Sequence, residues 1–292
     1  MRIPFRLPPP KGVNFDPEWD GSTFKLGEQH VSVLEYSENF SGWSDDLTAL
    51  HEDVAGDDHP IDIASRSDAI NQISKLKIAN NSVIMEIGCS SGYFLKDLIK
   101  NFPEAVVIGA DVVKQPLYNL AKTFHGIPLI RFDLLQCPLP EKIANVIVML
   151  NVLEHIEDDF GALKKVFHML KPGGALVLEV PAGKQLYDSY DEELQHFRRY
   201  SHADLITKLD KAGFNIVRKS HLGFFVFPGF ALVKLKNKIF KKNKVDSIVR
   251  SQVGKTSNNN LVRGLMSFEL KKMGNLCLPF GIRALVVARR PE

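Results

Sequence analysis

VIMEIGCSSGYFL, residues 83–95, is an apolar run that ends in an acid, a tight glycine turn and the start of a helix. Val83, Ile84, Met85 and Ile87 read as a short buried strand, and Gly88 and Gly92 bracket a loop of small residues. Tyr93, Phe94 and Leu95 then resume at helical spacing. A strand that turns sharply into a helix presents free backbone N–H groups at its end. Glycine there, lacking a Cβ, lets a ligand lie against bare backbone.

Outward from this stretch the chain alternates. Helical periodicity over 94–102 is followed by a strand over 105–110 ending at Asp111, a helix over 116–123 and a strand over 128–132 ending at Asp133. A strand over 144–150 ends at Asn151, a helix over 160–170 stops at Lys171-Pro172-Gly173-Gly174, and a fifth strand covers 175–180. A helix over 203–212, capped by Ser201, leads to strands over 214–219 and 283–289. Strands apolar almost throughout, separated by helices, predict an α/β fold: a Rossmann-like, seven-stranded, mostly parallel sheet with helices on both faces. Residues 1–80 are expected to form an N-terminal arm and helical cap, with an extended or irregular lead-in to about residue 30. From 31 to 73, Tyr36, Phe40 and Trp43 mix with acids in segments that look helical or irregular, and 68–76 reads as an amphipathic helix. Within the main domain, 81–292, the stretch 222–281 is too long for a loop and is expected to be an insertion or lid with helices of its own, such as 261–273.

The glycine loop does not fit the commoner nucleotide signatures. A dinucleotide fingerprint begun at Gly88 would need glycine at Ser90 and Tyr93, and no G-x-x-x-x-G-K-[ST] run is present. What remains is Glu86, Gly88 and Gly92, followed by Gly109-Ala110-Asp111, Arg131-Phe132-Asp133, Asn151-Val152-Leu153-Glu154-His155 and Leu170-Lys171-Pro172-Gly173-Gly174. In this order, over about residues 80–220, these resemble the motifs of the class I S-adenosylmethionine-dependent methyltransferases. The resemblance implies S-adenosylmethionine as cofactor, held by Glu86, Gly88, Ser90, Gly92, Asp111, Val112, Asp133, Leu134 and Asn151. Asp111 would accept hydrogen bonds from the ribose hydroxyls. Asp133 would receive the adenine amino group, with Val112, Phe132 and Leu134 against the ring. Ser90 stands where most family members carry glycine.

Methyl transfer from a sulfonium is a displacement whose leaving group departs neutral, so alignment in a dry pocket matters most. His155, just beyond the fourth strand, is expected either to act as base or to pack over the cofactor. His196, Arg198, Arg199 and Tyr200 resemble an H-x-R-R-Y stretch found in envelope- or glycan-related bacterial methyltransferases. That likeness implies a catalytic or lid role for His196 and Tyr200, and an anion-holding role for Arg198 and Arg199. The acceptor is expected to be a small molecule or a glycan- or lipid-linked group, methylated on oxygen. A non-catalytic module of the same fold, serving as a partner protein, is the alternative.

Composition bounds the rest. With 292 residues and 45% hydrophobic content the chain can bury one substantial core. A net charge of +3 gives no argument for nucleic acid, and no basic-aromatic groove pattern appears. Acids cluster early (Asp45, Asp46, Glu52, Asp53, Asp57, Asp58, Asp62) and lysines late (Lys234, Lys236, Lys238, Lys241, Lys242, Lys244). Phe224, Phe225, Phe227 and Phe230 beside that lysine run suggest either a lid with a solvated basic face or peripheral contact of 222–244 with an anionic membrane. Three scattered cysteines fit a reducing, cytoplasmic setting and offer neither a disulfide framework nor a CxxC metal site, so no metal is expected.

Overall fold

Val83–Ile87 is buried along its whole length and forms the middle of an eight-stranded sheet. The computed structural model describes residues 2–37, 48, 56–239, 256 and 259–292. Phe40, Trp43, Asp45, Asp46, Glu52, Asp53, Lys241, Lys242 and Lys244 lie outside the described residues.

In chain order the main elements are β1 (Glu18–Trp19), β2 (Phe24–Leu26), β3 (Gln29–Val31), β4 (Leu34–Glu35), α1 (Pro60–Lys75), β5 (Val83–Ile87), α2 (Tyr93–Asn101), β6 (Val106–Asp111), α3 (Gln115–Thr123), β7 (Leu129–Arg131) and β8 (Ala144–Leu150). Then come α4 (Asp159–Met169), β9 (Leu170–Pro181), α5 (Ser189–Glu193), α6 (His202–Lys211), β10 (Asn215–Leu222), α7 (Phe227–Ile239), α8 (Asn260–Met273) and β11 (Arg283–Arg289). The sheet runs β10-β11-β9-β8-β5-β6-β7-β4, parallel except for β11, which is antiparallel to both neighbours. Alternation along β5 sends Val83, Met85 and Ile87 into one apolar layer and Ile84 into the other. Burial on both faces is why the strand reads as a continuous apolar run rather than an alternating one.

The amino-terminal region departs from expectation. Instead of an irregular lead-in, β1, β2 and β3 make a small antiparallel sheet, with the Trp19 and Phe24 rings 4.8 Å apart. Strands of two or three residues are too short to show a period of two. β4 then pairs in parallel with β7, adding an eighth strand to the seven expected; Glu35 on it accepts from Arg131 Nη1 at 2.8 Å and from Tyr118 Oη at 2.5 Å. The helix before β5 also starts earlier than its amphipathic stripe suggests, at Pro60, where proline suits the first turn.

Two features position the site. Parallel strands β5, β6, β7, β8 and β9 all end at one edge, and the strand order reverses between β5 and β8, the crevice where open α/β sheets bind ligands. Because β11 is antiparallel, the chain leaves β10 at Leu222 and re-enters at Arg283 on that same edge, opposite Pro181. The described parts of the connection between them, α7 and α8 among them, thereby lie beside the crevice. Within that connection, α8 packs along α1 through Met266, Val262 and Leu270 against Ala64 and Leu222, and Glu269 accepts from Gly223 N at 2.8 Å.

Candidate active site

The strand ends form a backbone cradle. Gly88 N and Cys89 N both donate to Ala110 O, at 2.8 and 3.1 Å, folding the loop after β5 against the end of β6. Gly88 has φ +83°, and a Cβ there would meet Val152 Cγ2 at 2.3 Å. Ser90 takes the left-handed conformation at φ 45°, and its N–H donates to Asp111 Oδ2 at 2.7 Å. Asp111 Oδ1 accepts from Val112 N and Val113 N at 2.7 and 3.2 Å, so one carboxylate fastens two loops. Asp133 caps the 3-10 turn Leu134–Gln136, accepting from Leu135 N at 2.9 Å. Glu86 is buried; its Oε2 has no hydrogen-bond partner among the described residues, and burial, then Asp111, pushes its carboxyl well above the usual range. A cavity of about 1500 Å³ is bounded by Glu86, Gly88, Ser90, Asp111, Val112, Asp133, Leu134 and Asn151. Gly92 is not on its wall: it opens α2 at φ +76°, where a Cβ would strike Leu120 at 2.4 Å, so that glycine serves helix packing.

Across the cavity stand Glu154 and His155, in a 3-10 turn beyond β8, and His196. Glu154 is fully buried with neither carboxylate oxygen hydrogen-bonded among the described residues, and burial pushes its carboxyl up to about 8. The rings of His155 and His196 meet edge to face, centroids 4.6 Å apart. His196 Nδ1 lies 2.9 Å from Asp191 Oδ1; a carboxylate only accepts, so Nδ1 carries the proton and Nε2 the lone pair. Asp191 also accepts from Arg199 Nε at 2.8 Å and Lys234 Nζ at 2.9 Å, while Lys234 reaches Asp188 at 2.6 Å. Burial alone would push the Asp191 carboxyl up, but His196, Arg199 and Lys234 outweigh it and hold it well below the usual range. Burial pushes His196 down against the pull of Asp191, favouring the neutral ring.

Tyr200 and Arg198, expected at this end, are not brought to the cavity. Tyr200 is fully buried and donates to Asp159 Oδ2 at 2.9 Å, and Arg198 pairs with the same carboxylate at 2.8 Å. Arg199 does line the cavity, with its charge engaged by Asp191. On a third wall, Arg283 donates to Glu179 Oε1 at 2.7 Å and to Asp62 Oδ1 at 2.5 Å, and Asn151 Nδ2 reaches Glu179 at 3.3 Å.

Residues 63–219, which include the cradle and Glu154, His155 and His196, match the family described as "Methyltransferase domain". The chain belongs to the class I S-adenosylmethionine-dependent methyltransferases. A Mycolicibacterium smegmatis relative, "Probable S-adenosylmethionine-dependent methyltransferase", is 29% identical over 150 residues, 51% of this chain and 57% of the relative. A Helicobacter pylori tRNA U34 carboxymethyltransferase is 33% identical over 125 residues, 40% of this chain and 46% of its own. Both matches thus cover under two thirds of the relatives' lengths. The Haemonchus contortus phosphoethanolamine N-methyltransferase 2 structure, a complex with S-adenosyl-L-methionine, superposes with TM-score 0.54 at 15% identity over 84% of this chain and 57% of that one, which speaks for the fold. The residues present suit the cofactor: an open backbone cradle, acids closing β6 and β7, and a buried carboxyl with an unmatched oxygen. In the sequence Glu154 stood only as part of a motif and Lys234 as part of a basic run, and neither they nor Asp188 and Asp191 had a site role, although the last three give the His196 side its charge balance. The pairing of Arg283 with Glu179 spans 104 residues and leaves no local signal.

Proposed function

We propose that the chain transfers a methyl group to an oxygen of a small-molecule or glycan- or lipid-linked acceptor bound between the β5–β6 cradle and the Glu154, His155 and His196 pole. The carrying observation is that one continuous cavity has a nucleotide-type cradle on one side and a pair of histidines in edge-to-face contact on the other. S-adenosylmethionine, when bound, supplies the methyl group, the acceptor's lone pair forming the new bond to carbon while the broken bond's electron pair stays on sulfur. Asp111 and Asp133 hold the nucleoside end, and Glu86 with the Gly88–Ser90 backbone holds the amino-acid end. His155 and a neutral His196 sit where an acceptor hydroxyl loses its proton, and the described helices α7 and α8 act as a lid that keeps the pocket dry.

Isothermal titration with S-adenosylmethionine, S-adenosylhomocysteine and NAD tests this reading. Binding of the two adenosyl ligands alone, weakened at least about tenfold by Asp111→Asn, supports it. No adenosyl binding, or none lost in the variant, overturns it. A membrane-proximal acceptor is favoured by α7, where Leu232, Val233 and Leu235 are 68%, 45% and 54% exposed beside Lys236 and Lys238. No described helix is long and apolar enough to cross a membrane. Co-sedimentation with anionic vesicles supports peripheral contact, and failure to sediment with any vesicle removes it.

A further inference from the structure

The Glu154, His155 and His196 pole has the composition of a metal site. One ligand atom from each side chain lies within 4.8 Å of the others, and the group faces the cavity. In a tetrahedral site with metal–ligand distances of about 2.1 Å, ligand atoms lie about 3.4 Å apart, so closure asks for side-chain movements of up to about an ångström. The chain spacing hides the group: His196 is remote in sequence from Glu154 and His155, and no Cys/His motif marks it.

Two independent observations point to a cation, and a third removes an objection to one. Glu154 is fully buried, yet neither of its oxygens has a hydrogen bond among the described residues, which is costly unless something else meets the carboxylate. His196 is fixed by Asp191 so that Nε2 presents its lone pair, the carboxylate–histidine arrangement that orients metal-binding imidazoles. The cage behind it balances itself, two acids (Asp188, Asp191) against two bases (Arg199, Lys234), so it puts no excess positive charge behind the pole.

We propose that Glu154, His155 and His196 bind one divalent first-row transition ion, of the zinc, manganese or cobalt(II) class, with its remaining positions open to the cavity. Two imidazole nitrogens and one carboxylate suit such ions better than magnesium or calcium, which favour all-oxygen sites. The inference deepens the methyl-transfer reading: the ion would hold an acceptor oxygen at the far side of the cavity from the cradle and ease loss of its proton to solvent. His155 and His196 would then be ligands rather than the base.

The test is titration of the chelator-treated full chain with Zn²⁺, Mn²⁺ and Co²⁺ chlorides, with Co²⁺ binding followed by its visible absorption. One equivalent of at least one ion is expected, weakened about 10- to 100-fold by Glu154→Gln and by His196→Gln, with far-ultraviolet circular dichroism unchanged in Glu154→Gln. Failure of all three ions to bind at one equivalent, or equal affinity in Glu154→Gln, overturns the proposal. S-adenosylhomocysteine titration of the same chelator-treated samples separates the readings. Retained adenosyl binding without metal binding defeats the metal site alone, whereas lost adenosyl binding in the untreated chain defeats the methyltransferase reading.

Discussion

At the residue scale, single atoms decide what the cradle tolerates. Gly88→Ala places a Cβ 2.3 Å from Val152 Cγ2 at φ +83°. It is expected to cost about 2 kcal/mol of stability and to weaken S-adenosylhomocysteine binding at least about tenfold, measured by denaturant melts and calorimetry. Asp68 on α1 gives a pH signature. Burial raises its carboxyl to about 6, partly relieved by Gln72 Nε2, which donates to it at 2.9 Å. A carboxyl raised on folding favours the protonated form, so its contribution is full below the ordinary carboxylate range and is lost as pH rises through about 6. Asp68→Asn keeps the oxygen that Gln72 needs. It should raise stability at pH 7 by about 3 kcal/mol and lose that advantage below about pH 4, as thermal melts across pH will show. Ser90 illustrates legibility at this scale: its departure from glycine was visible in the sequence, but that it sits at φ 45° with its N–H on Asp111 was not.

At the element scale, α7 is pinned over the cavity by a lysine rather than by apolar packing alone. Lys234 is 1% exposed and joins Asp188 and Asp191, while Asn237 donates to Asp188 at 2.7 Å. Lys234→Met leaves two buried carboxylates short of a cation, a loss of about 3–5 kcal/mol for a broken buried pair. The expected outcome is faster proteolytic cutting within 222–281 with the sheet intact, read by limited proteolysis and peptide mapping. Unchanged cutting would show that α7 is held by other contacts. In the sequence this lysine belonged to a basic run and looked solvated; only the fold brings the two acids to it from α5 and its cap. The helices and long strands were legible because apolar periodicity sets them locally. β1, β2, β3 and β4 were not, being too short for a pattern, and β4 is in addition stabilised by a partner far along the chain, Leu34 pairing with Ile130.

At the scale of the whole molecule, ligand binding and stability are coupled through the sheet edge. A ligand that binds only the folded chain, at one hundred times its dissociation constant, stabilises by about 2.7 kcal/mol. For a chain of this size that amounts to roughly 4–5 °C in Tm. S-adenosylhomocysteine is therefore expected to raise Tm by several degrees in differential scanning fluorimetry, NAD not at all, and Asp111→Asn, about tenfold weaker or worse, to cut the rise to about half or less. The antiparallel last strand makes this a property of the whole fold. It returns the lid to the ligand edge and brings Arg283 to Glu179 and Asp62, tying α1, β9 and β11 into one wall.

The stretch 83–95 and the acids that follow it determined the sheet, its order of elements and the donor side of the site, because strand periodicity, glycine turns and strand-end acids are encoded within a few residues of one another. The proposed acceptor side was decided by tertiary structure. Tyr200 and Arg198 turn toward Asp159, whereas Glu154, His155 and His196 converge from segments about 40 residues apart. Side-chain direction beyond a strand end is set by which buried charges must be matched. Here those matches, Asp191 with Arg199 and Lys234, and Asp159 with Arg198 and Lys208, exist only once the chain has folded.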